Sequence, residues 1–276
     1  MKRASLRHTQ WALCFIITNQ QDSRFLGKWN MIKFFRNIRQ DLLSKGKTGK
    51  YFKYAIGEII LVVIGILIAL QINNWNENRK EAIVEREFYE NLLASLTTDS
   101  LELAKIIRLQ NQSLVDQNRF INSNLLEIKS SSDIEEISKS LYNIYDGAYS
   151  FFPKYGTYNA ILSNKGIDIL KSKKIKSSLI ELYDYQCKKY ENIDAIIDQQ
   201  YSFDFVPFQQ RKLGFFVNSN FDYNTVNMSL FEDNYEELVL QCQNINTLSI
   251  HSLNALRGIQ KSVDELIALI RIELKK

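Results

Sequence analysis

The hydrophobic pattern of this chain is dominated by one apolar run. Residues 55–72 read AIGEIILVVIGILIALQI, with apolar side chains on every face of a helix rather than on one stripe. At about 1.5 Å per residue this helix is roughly 27 Å long, close to the thickness of the hydrocarbon core of a bilayer. The run therefore predicts a transmembrane helix. The alternative, a buried core helix, would need other segments that are apolar enough to surround it.

The energetics and the flanks of the run also favour insertion. Twelve Ile, Leu and Val residues contribute about −4 to −7 kcal/mol to insertion. Glu58 opposes this by at most about 3 kcal/mol. Aromatic side chains flank the run, with Tyr51 and Tyr54 before it and Trp75 after it, and these predict the membrane interface.

The charge distribution predicts an orientation. Residues 1–30 carry a net charge of +4, residues 31–80 carry +6, and residues 81–276 carry −6. By the positive-inside rule the N-terminal side is cytoplasmic, and residues 73–276 form an extracytoplasmic domain. We therefore expect a single-pass membrane protein. An acidic outer domain argues against nucleic-acid binding, which requires a dense basic face.

The residues before the span divide into two parts. Residues 31–54 are basic, and residues 31–43 (MIKFFRNIRQDLL) have the pattern of an interfacial amphipathic helix. A simple cluster of stop-transfer charges is the alternative. Within residues 1–30, the apolar stretch 11–18 is too short to span a bilayer. We expect translation to begin at Met31 and residues 1–30 to be a non-native leader.

The predicted span has a candidate contact face. Glu58, Gly65 and Ala69 fall within about 40° of one another on a helical projection. Gly65 and Ala69 form a small-xxx-small pair, which allows close approach of a second helix. This predicts a homo-oligomer or docking on another membrane protein. In the alternative, the small residues are incidental and Glu58 reaches toward the headgroups.

The outer domain has a helical pattern throughout, and the predicted fold class is all-α: one transmembrane helix followed by a bundle of long helices. The first helix of the bundle runs from Arg79 to about Lys129, with a break expected near 110–118, where Asn and Gln interrupt its apolar stripe. Ser132 and Glu135 suggest a capping box for a second helix that ends at Gly147.

The second half of the outer domain predicts three more helices. Residues 149–166 read as a compact connection, and a third helix covers 173–203. Pro207 and Gly214 mark a loop, because both residue types interrupt helices. A final pair of helices covers 229–243 and 246–274.

The chain shows no recognisable catalytic, cofactor-binding or metal-binding motif, so we predict a protein that is not an enzyme and has no cofactor. Its two histidines are His8 and His251, too few for a multi-histidine metal site. Adjacent carboxylates in the predicted helices read as solvated faces. Cys187 and Cys242 can pair or remain two buried thiols, and the sequence leaves both readings open.

Aromatic residues crowd the stretch from 142 to 158. Aromatic rings with polar tips suit a pocket for a ligand or a partner. Packing of a loop on the bundle core is the other explanation. The residues of the predicted pocket are Tyr145, Tyr149, Phe152, Tyr155 and Tyr158.

Two stretches carry a resemblance to a known family. Residues 31–40 (MIKFFRNIRQ) and 54–80 (YAIGEIILVVIGILIALQINNWNENRK) resemble the opening of an uncharacterised family of bacterial single-pass membrane proteins with a domain of unknown function. A weaker resemblance continues through residues 156–170. The resemblance implies a start at Met31, a location in a bacterial inner membrane, a short cytoplasmic tail, one span and a helical region in the periplasm. It implies no activity, cofactor or catalytic residue.

These observations predict a membrane-anchored, non-enzymatic scaffold or interaction protein of the envelope. Its expected partners are the lipid bilayer and either a second copy or another membrane protein. One alternative is a ligand-sensing module, which would act through a membrane partner because residues 31–54 are too few for an output domain. The other alternative is an envelope enzyme without a recognisable motif.

Overall fold

The structure, a computed structural model, describes residues 33, 36–37, 40–41, 44, 48–164 and 167–276. The predicted leader, the start at Met31 and most of the predicted interfacial helix lie outside these residues. Within these ranges the regular structure is helical, apart from an isolated antiparallel bridge between Val217 and Tyr223. The all-α class is therefore confirmed.

The chain forms two compact units, one ending at Asn78 and one comprising Arg79–Lys276. Helix α1, Thr48–Asn122, contributes residues to both. In the first unit, this helix is long and apolar enough to cross a membrane. Its most apolar 18-residue window has a mean hydropathy of 2.6, and none of that window is buried.

The expected break of the first bundle helix near 110–118 is wrong. Helix α1 continues to Asn122, and the short helix α2, Leu125–Ser131, follows. The Asn124 side chain accepts from the Glu127 N–H (3.0 Å), and the Glu127 carboxylate accepts from the Asn124 N–H (2.9 Å). This reciprocal capping box starts a new helix and fixes the break there.

The capping residue predicted for the next helix is wrong by one position. Helix α3, Ile134–Asp146, is capped by Asp133, whose carboxylate accepts from the Glu136 N–H at 2.8 Å. A carboxylate at this position also interacts favourably with the helix dipole. The predicted end of α3 at Gly147 is confirmed.

The connection predicted at 149–166 contains a helix of its own, α4, Gly156–Asn164, followed by a 3₁₀ turn, Ile167–Ile169. The third predicted helix continues past residue 203 as a series of helical segments. These are α5 Lys173–Ile180, a π segment Glu181–Cys187, α6 Lys188–Gln200, a π segment Tyr201–Phe205 and α7 Val206–Leu213.

The loop predicted around Pro207 is therefore a helix. Pro207 lies in the first turn of α7, where the missing N–H of proline costs little. The preceding π segment widens the turn, so that the Val206 N–H bonds to the carbonyl of Tyr201. Gly214 ends α7 in the left-handed conformation (φ 60°), as expected for a glycine after a helix.

The predicted final pair of helices has its boundary in the wrong place. The short helix α8 is Met228–Asp233, and α9 is one helix of 39 residues, Tyr235–Glu273. The boundary predicted between residues 243 and 246 lies inside α9, next to Asn246. The Asn246 amide donates to the side chains of Gln117 (3.3 Å) and Asn118 (3.2 Å) on α1. Contacts between helices, and not a turn, explain this polar position.

The second unit contains two hydrophobic cores, and α9 contributes to both. The first core packs α1, α4 and α5 against the C-terminal half of α9, around Leu92, Leu103 and Leu266. The second core packs the end of α1, α3 and α7 against the N-terminal half of α9, around Phe120 and Leu238. The buried apolar residues of the helices predicted at 173–203 and 246–274 line these cores.

A hydrogen-bonded polar layer lies at the centre of this unit. The Gln117 amide, fully buried, donates to the hydroxyl oxygens of Ser113 (3.0 Å), Ser249 (3.2 Å) and Tyr201 (3.4 Å). Gly147 packs so closely here that a Cβ would lie 2.1 Å from the Ser113 Oγ. Only glycine fits at this position without displacing α1 or α3.

Cys187 and Cys242 are both free, buried thiols in this structure. Cys187 belongs to the first core and Cys242 to the second. Burial raises the pKa of both thiols, that of Cys187 to about 12. Both therefore stay protonated and unreactive at neutral pH.

Candidate functional site

The predicted contact face of the span lies on an open stretch of α1. A Cβ added at Gly65 would meet no atom within 4 Å, and Ala69 is exposed. Glu58 is half-buried. At the predicted membrane interface, Tyr54 and Trp75 expose 61% and 66% of their surfaces. The side chain of Tyr51 lies outside the described part of the chain.

A second candidate is an aromatic surface on the outer domain, formed by Tyr142, Tyr145, Tyr149, Phe221 and Tyr223. Tyr142 stacks on Tyr223 with ring centroids 4.6 Å apart and on Tyr145 at 6.3 Å. Tyr149 contacts Phe221 at 6.2 Å. Helix α3 and the residues just after it supply the first three rings, and the loop between α7 and α8 supplies the other two.

That loop holds Phe221 in an uncommon backbone conformation. Phe221 has φ 64°, and it is the non-glycine residue with positive φ in the described part of the chain. The Asn218 side chain accepts from the N–H groups of Asn220 (2.8 Å) and Asp222 (3.0 Å), which fixes the turn around it. Strain of this kind persists where the surroundings enforce it, and it is common at binding sites. The turn therefore presents a half-exposed ring at a fixed position.

Two residues at the aromatic surface, Tyr142 and Asp146, have raised pKa values. Burial and the neighbouring Asp146 raise the pKa of Tyr142 to about 12. Burial also raises the pKa of Asp146, against the opposing effects of Tyr142 and Lys105. The Lys105 Nζ lies 5.8 Å from the centroid of the Tyr149 ring, at the distance of a cation–π contact. Phenols that stay protonated can bind by stacking and by donating hydrogen bonds, and they are poor bases at neutral pH.

The five residues of the predicted pocket do not line one cavity. Tyr145 and Tyr149 belong to the aromatic surface. Tyr155 and Tyr158 pack on Tyr183 of the first core, with ring centroids 5.4 and 4.7 Å away. Phe152 is 71% exposed. The packing explanation therefore fits Tyr155 and Tyr158.

Hydrogen bonds to carboxylates fix both of those core tyrosines. The Tyr155 hydroxyl donates to Glu191 at 2.7 Å, and the Tyr158 hydroxyl donates to Asp184 at 2.9 Å. Burial, followed by the bond to Asp184, raises the pKa of Tyr158 to about 12. Both phenols are thus hydrogen-bond donors within the fold.

Phe152 lines a shallow cleft of about 310 Å³ together with the carboxylates of Glu191, Asp194 and Asp198. The loop that carries Phe152 is tied to α1 by Asp99, which is 2% exposed. Asp99 accepts from the Lys154 N–H (3.3 Å) and from its Nζ (3.1 Å). Burial raises the pKa of Asp99, and the contacts with Lys154 oppose that effect. This contact between a buried carboxylate and a half-exposed lysine positions the loop.

Sequence reasoning missed Phe221 and Tyr223 as members of the aromatic surface. The segment NSNFDYN (218–224) has the composition of a turn, with Asn and Asp around two aromatics. That composition could have predicted a turn with exposed rings. It could not have shown that the turn folds onto α3, which lies about 75 residues earlier in the chain.

Among the described residues, no group of three or more His, Cys, Asp and Glu side chains is placed to hold a metal ion. His251 lies exposed on α9. It lines a groove beside Tyr185 and Lys189.

Comparison with known proteins identifies a family. No curated protein and no solved structure gives a significant match to the chain. The profile of one family, described as a family of unknown function (DUF6090), matches residues 58–202. The match begins within the apolar run and includes the tyrosines of α3, but it ends before α9, which contributes to both cores. It covers more than half of the 276 residues, and the chain therefore belongs to this family of unknown function, DUF6090.

Proposed function

We propose that this chain is a single-pass protein of a bacterial inner membrane, with a cytoplasmic N-terminus and a periplasmic helical domain that acts as a non-enzymatic scaffold for other proteins. One observation supports the membrane anchor above all others. The most apolar window of α1 has no buried residue, so protein does not cover it. A continuous apolar surface of this size is typical of contact with lipid or with another protein.

The aromatic surface supports a scaffolding role for the outer domain. Tyr and Phe are enriched at protein–protein interfaces, where their rings supply contact area and their hydroxyls supply specific hydrogen bonds. Here the rings already stack on one another, so little side-chain entropy remains to be lost on binding. Phe221 and Tyr223 are 53% and 40% exposed and available to a partner.

The face formed by Glu58, Gly65 and Ala69 is the proposed contact within the membrane. A partner helix on this face would shield Glu58 from lipid and pack closely on Gly65. Disulfide crosslinking of a Gly65→Cys variant in bilayers tests this, with Leu67→Cys as the control on another face of α1. Dimers from position 65 and monomers from position 67 are expected. Monomers from both positions at every protein density would reject self-association.

The scaffolding proposal is tested by site-specific photocrosslinking in intact cells. A photoreactive residue at Phe221 samples the aromatic surface, and one at Leu101 samples an exposed position outside it. We expect a discrete protein adduct from position 221, which weakens when Tyr142 and Tyr149 are replaced by Ala, and no adduct from position 101. Adducts of equal strength from both positions, or none from 221, would contradict the proposal.

A further inference from the structure

Three segments of the chain meet at one end of the second unit. The Lys171 N–H donates to the Glu85 carboxylate at 2.6 Å, and the Arg86 guanidinium donates to the Leu274 carbonyl at 3.3 Å. The Tyr89 hydroxyl donates to the same Glu85 carboxylate at 3.1 Å. These bonds hold together the start of this unit on α1, the start of α5 and the end of α9. We call the residues 79–90, 167–176 and 271–276 the basic end.

The basic end differs in charge from the rest of its unit. It carries ten basic and six acidic side chains, whereas the remainder of residues 79–276 carries thirteen basic and twenty-one acidic ones. The segment 171–176 reads KSKKIK, with four lysines and no acid. The net charge is therefore +4 at the basic end and −8 over the remainder of residues 79–276.

Local contacts neutralise only part of this charge. The Lys176 Nζ lies 2.9 Å from the Asp168 Oδ1, and the Lys171 Nζ lies 3.8 Å from the Glu85 Oε2. Lys173 and Lys174 are exposed in the first turn of α5, a turn without an acidic residue. Cations at the N-terminus of a helix oppose its dipole. Their position here is thus unfavourable for the helix itself and suits an external anion.

Apolar side chains accompany these lysines. Ile83 and Ile272 expose more than half of their surfaces at the same end. Residues of the basic end also line a groove of about 380 Å³, Lys80, Val84 and Phe88 among them, together with Glu81 and Glu87. Basic and apolar groups together are typical of surfaces that bind at the headgroup level of a bilayer.

The covalent chain limits how far this end can lie from the predicted span. Arg79 follows Ile72 by seven residues, which reach about 25 Å at most when fully extended. We propose that the basic end docks on the anionic phosphate headgroups of the membrane that holds the span. This inference rests on the membrane anchor of the proposed function, and it adds a second contact with the same bilayer.

The test uses the full chain in nanodiscs. A fluorophore on Ser177→Cys reports from α5 next to the basic end, one on Ser130→Cys reports from α2, and quenchers are attached to lipid headgroups. Cys14 is replaced by Ser, and the buried Cys187 and Cys242 stay unlabelled. Discs of phosphatidylcholine alone are compared with discs that also contain phosphatidylglycerol.

We expect phosphatidylglycerol to increase quenching at position 177 and to leave position 130 unchanged. High salt should abolish the increase, because screening weakens attraction between exposed charges. Lys173→Glu with Lys174→Glu should reduce the docking equilibrium about tenfold or more. Lys188→Glu with Lys189→Glu, a matched pair outside the basic end, should leave it unchanged. Inorganic phosphate added to neutral discs should not reproduce the effect.

Several outcomes would overturn this inference. Equal quenching in neutral and anionic discs, or equal loss in the two double variants, would reject headgroup docking. Quenching that appears only after an acidic protein is added would assign the basic end to a protein partner instead. These outcomes leave the anchor intact. A chain that enters neither kind of disc would refute the anchor and, with it, the inference.

Discussion

Two stretches of helix α1 have the same secondary structure but opposite surroundings. Residues 55–72 are apolar on every face, and their large side chains are exposed. Between residues 88 and 120 the apolar residues form a stripe, in which Leu92, Leu96 and Leu103 are fully buried. A stripe is covered by the protein's own helices, whereas an all-round apolar surface that no helix of the chain covers is typical of contact with lipid or with another protein. The periodicity of the pattern, more than its mean hydropathy, distinguishes the two.

The second stretch also shows what happens to polar residues on a buried stripe. Gln117 and Ser113 lie within the core, and the Gln117 amide donates to the hydroxyl oxygens of Ser113 and Ser249. Because these partners satisfy the buried amide and hydroxyls, the helix continues where the sequence suggested a break. Polar interruptions of a stripe therefore predict a break only when the fold offers them no partner.

The largest expected effect comes from deleting a buried leucine of the second stretch. Leu103→Ala should lower the free energy of unfolding of the outer domain by about 2–5 kcal/mol, because it removes buried methyl groups and leaves a cavity. Leu101→Ala, two residues away and 71% exposed, should change it by less than about 0.5 kcal/mol. Urea unfolding of the full chain in detergent measures both. Equal losses would contradict the assigned stripe.

The next largest effect is expected on the membrane insertion of the first stretch, residues 55–72. Leu67→Arg should disfavour membrane insertion by about 3 kcal/mol, since a cation at the centre of a span is costly. Leu101→Arg makes the same change on the outer domain and should leave insertion unaffected. The fraction of protein that resists alkaline extraction from membranes reports on both variants. An unaltered membrane fraction for Leu67→Arg would count against a lipid environment at this residue.

A smaller effect tests the polar layer. Gln117→Leu should lower the unfolding free energy by about 1–3 kcal/mol, because it leaves the buried hydroxyls of Ser113 and Ser249 without this partner. Arg108→Leu, at an exposed position of the same helix, should stay within about 0.5 kcal/mol. Thermal unfolding followed by circular dichroism compares the two. A more stable Gln117→Leu protein would show that packing at this site outweighs hydrogen bonding.

The smallest effect concerns the start of α3. Asp133→Ala should lower the unfolding free energy by about 1 kcal/mol, since it removes the bond to the Glu136 N–H. Ser132→Ala should have no measurable effect. The same unfolding assay separates the two residues. A larger loss of unfolding free energy for Ser132→Ala than for Asp133→Ala would instead support Ser132, the residue expected from the sequence, as the cap of α3.

The fold class and the apolar stripes could be predicted from the sequence because they depend on local periodicity. Leu256, Val263 and Ile270 repeat every seven residues, and all three are buried. Helix ends were predicted less well, because they depend on distant partners. Asn246 contacts α1, and Pro207 follows a π segment that no residue pattern in the sequence announces.

The candidate site was predicted only in part for a related reason. The tyrosines of α3 are close together in sequence, and their crowding was visible. Their partners Phe221 and Tyr223 reach them through a loop about 75 residues later. The division of the predicted pocket into a surface and a packed core also depends on Tyr183. Long-range contacts of this kind are not encoded in local periodicity.

Thiol labelling of two leucine positions on α1 tests the lipid environment of the apolar run most directly. Leu67→Cys and Leu101→Cys are each made in a Cys14→Ser background and treated, in native membranes made permeable to the reagent, with a water-soluble maleimide. Both residues are exposed on the protein, so burial by the chain itself does not separate them. We predict rapid labelling at position 101 and labelling at position 67 only after detergent is added. Equally fast labelling of both without detergent would contradict the account.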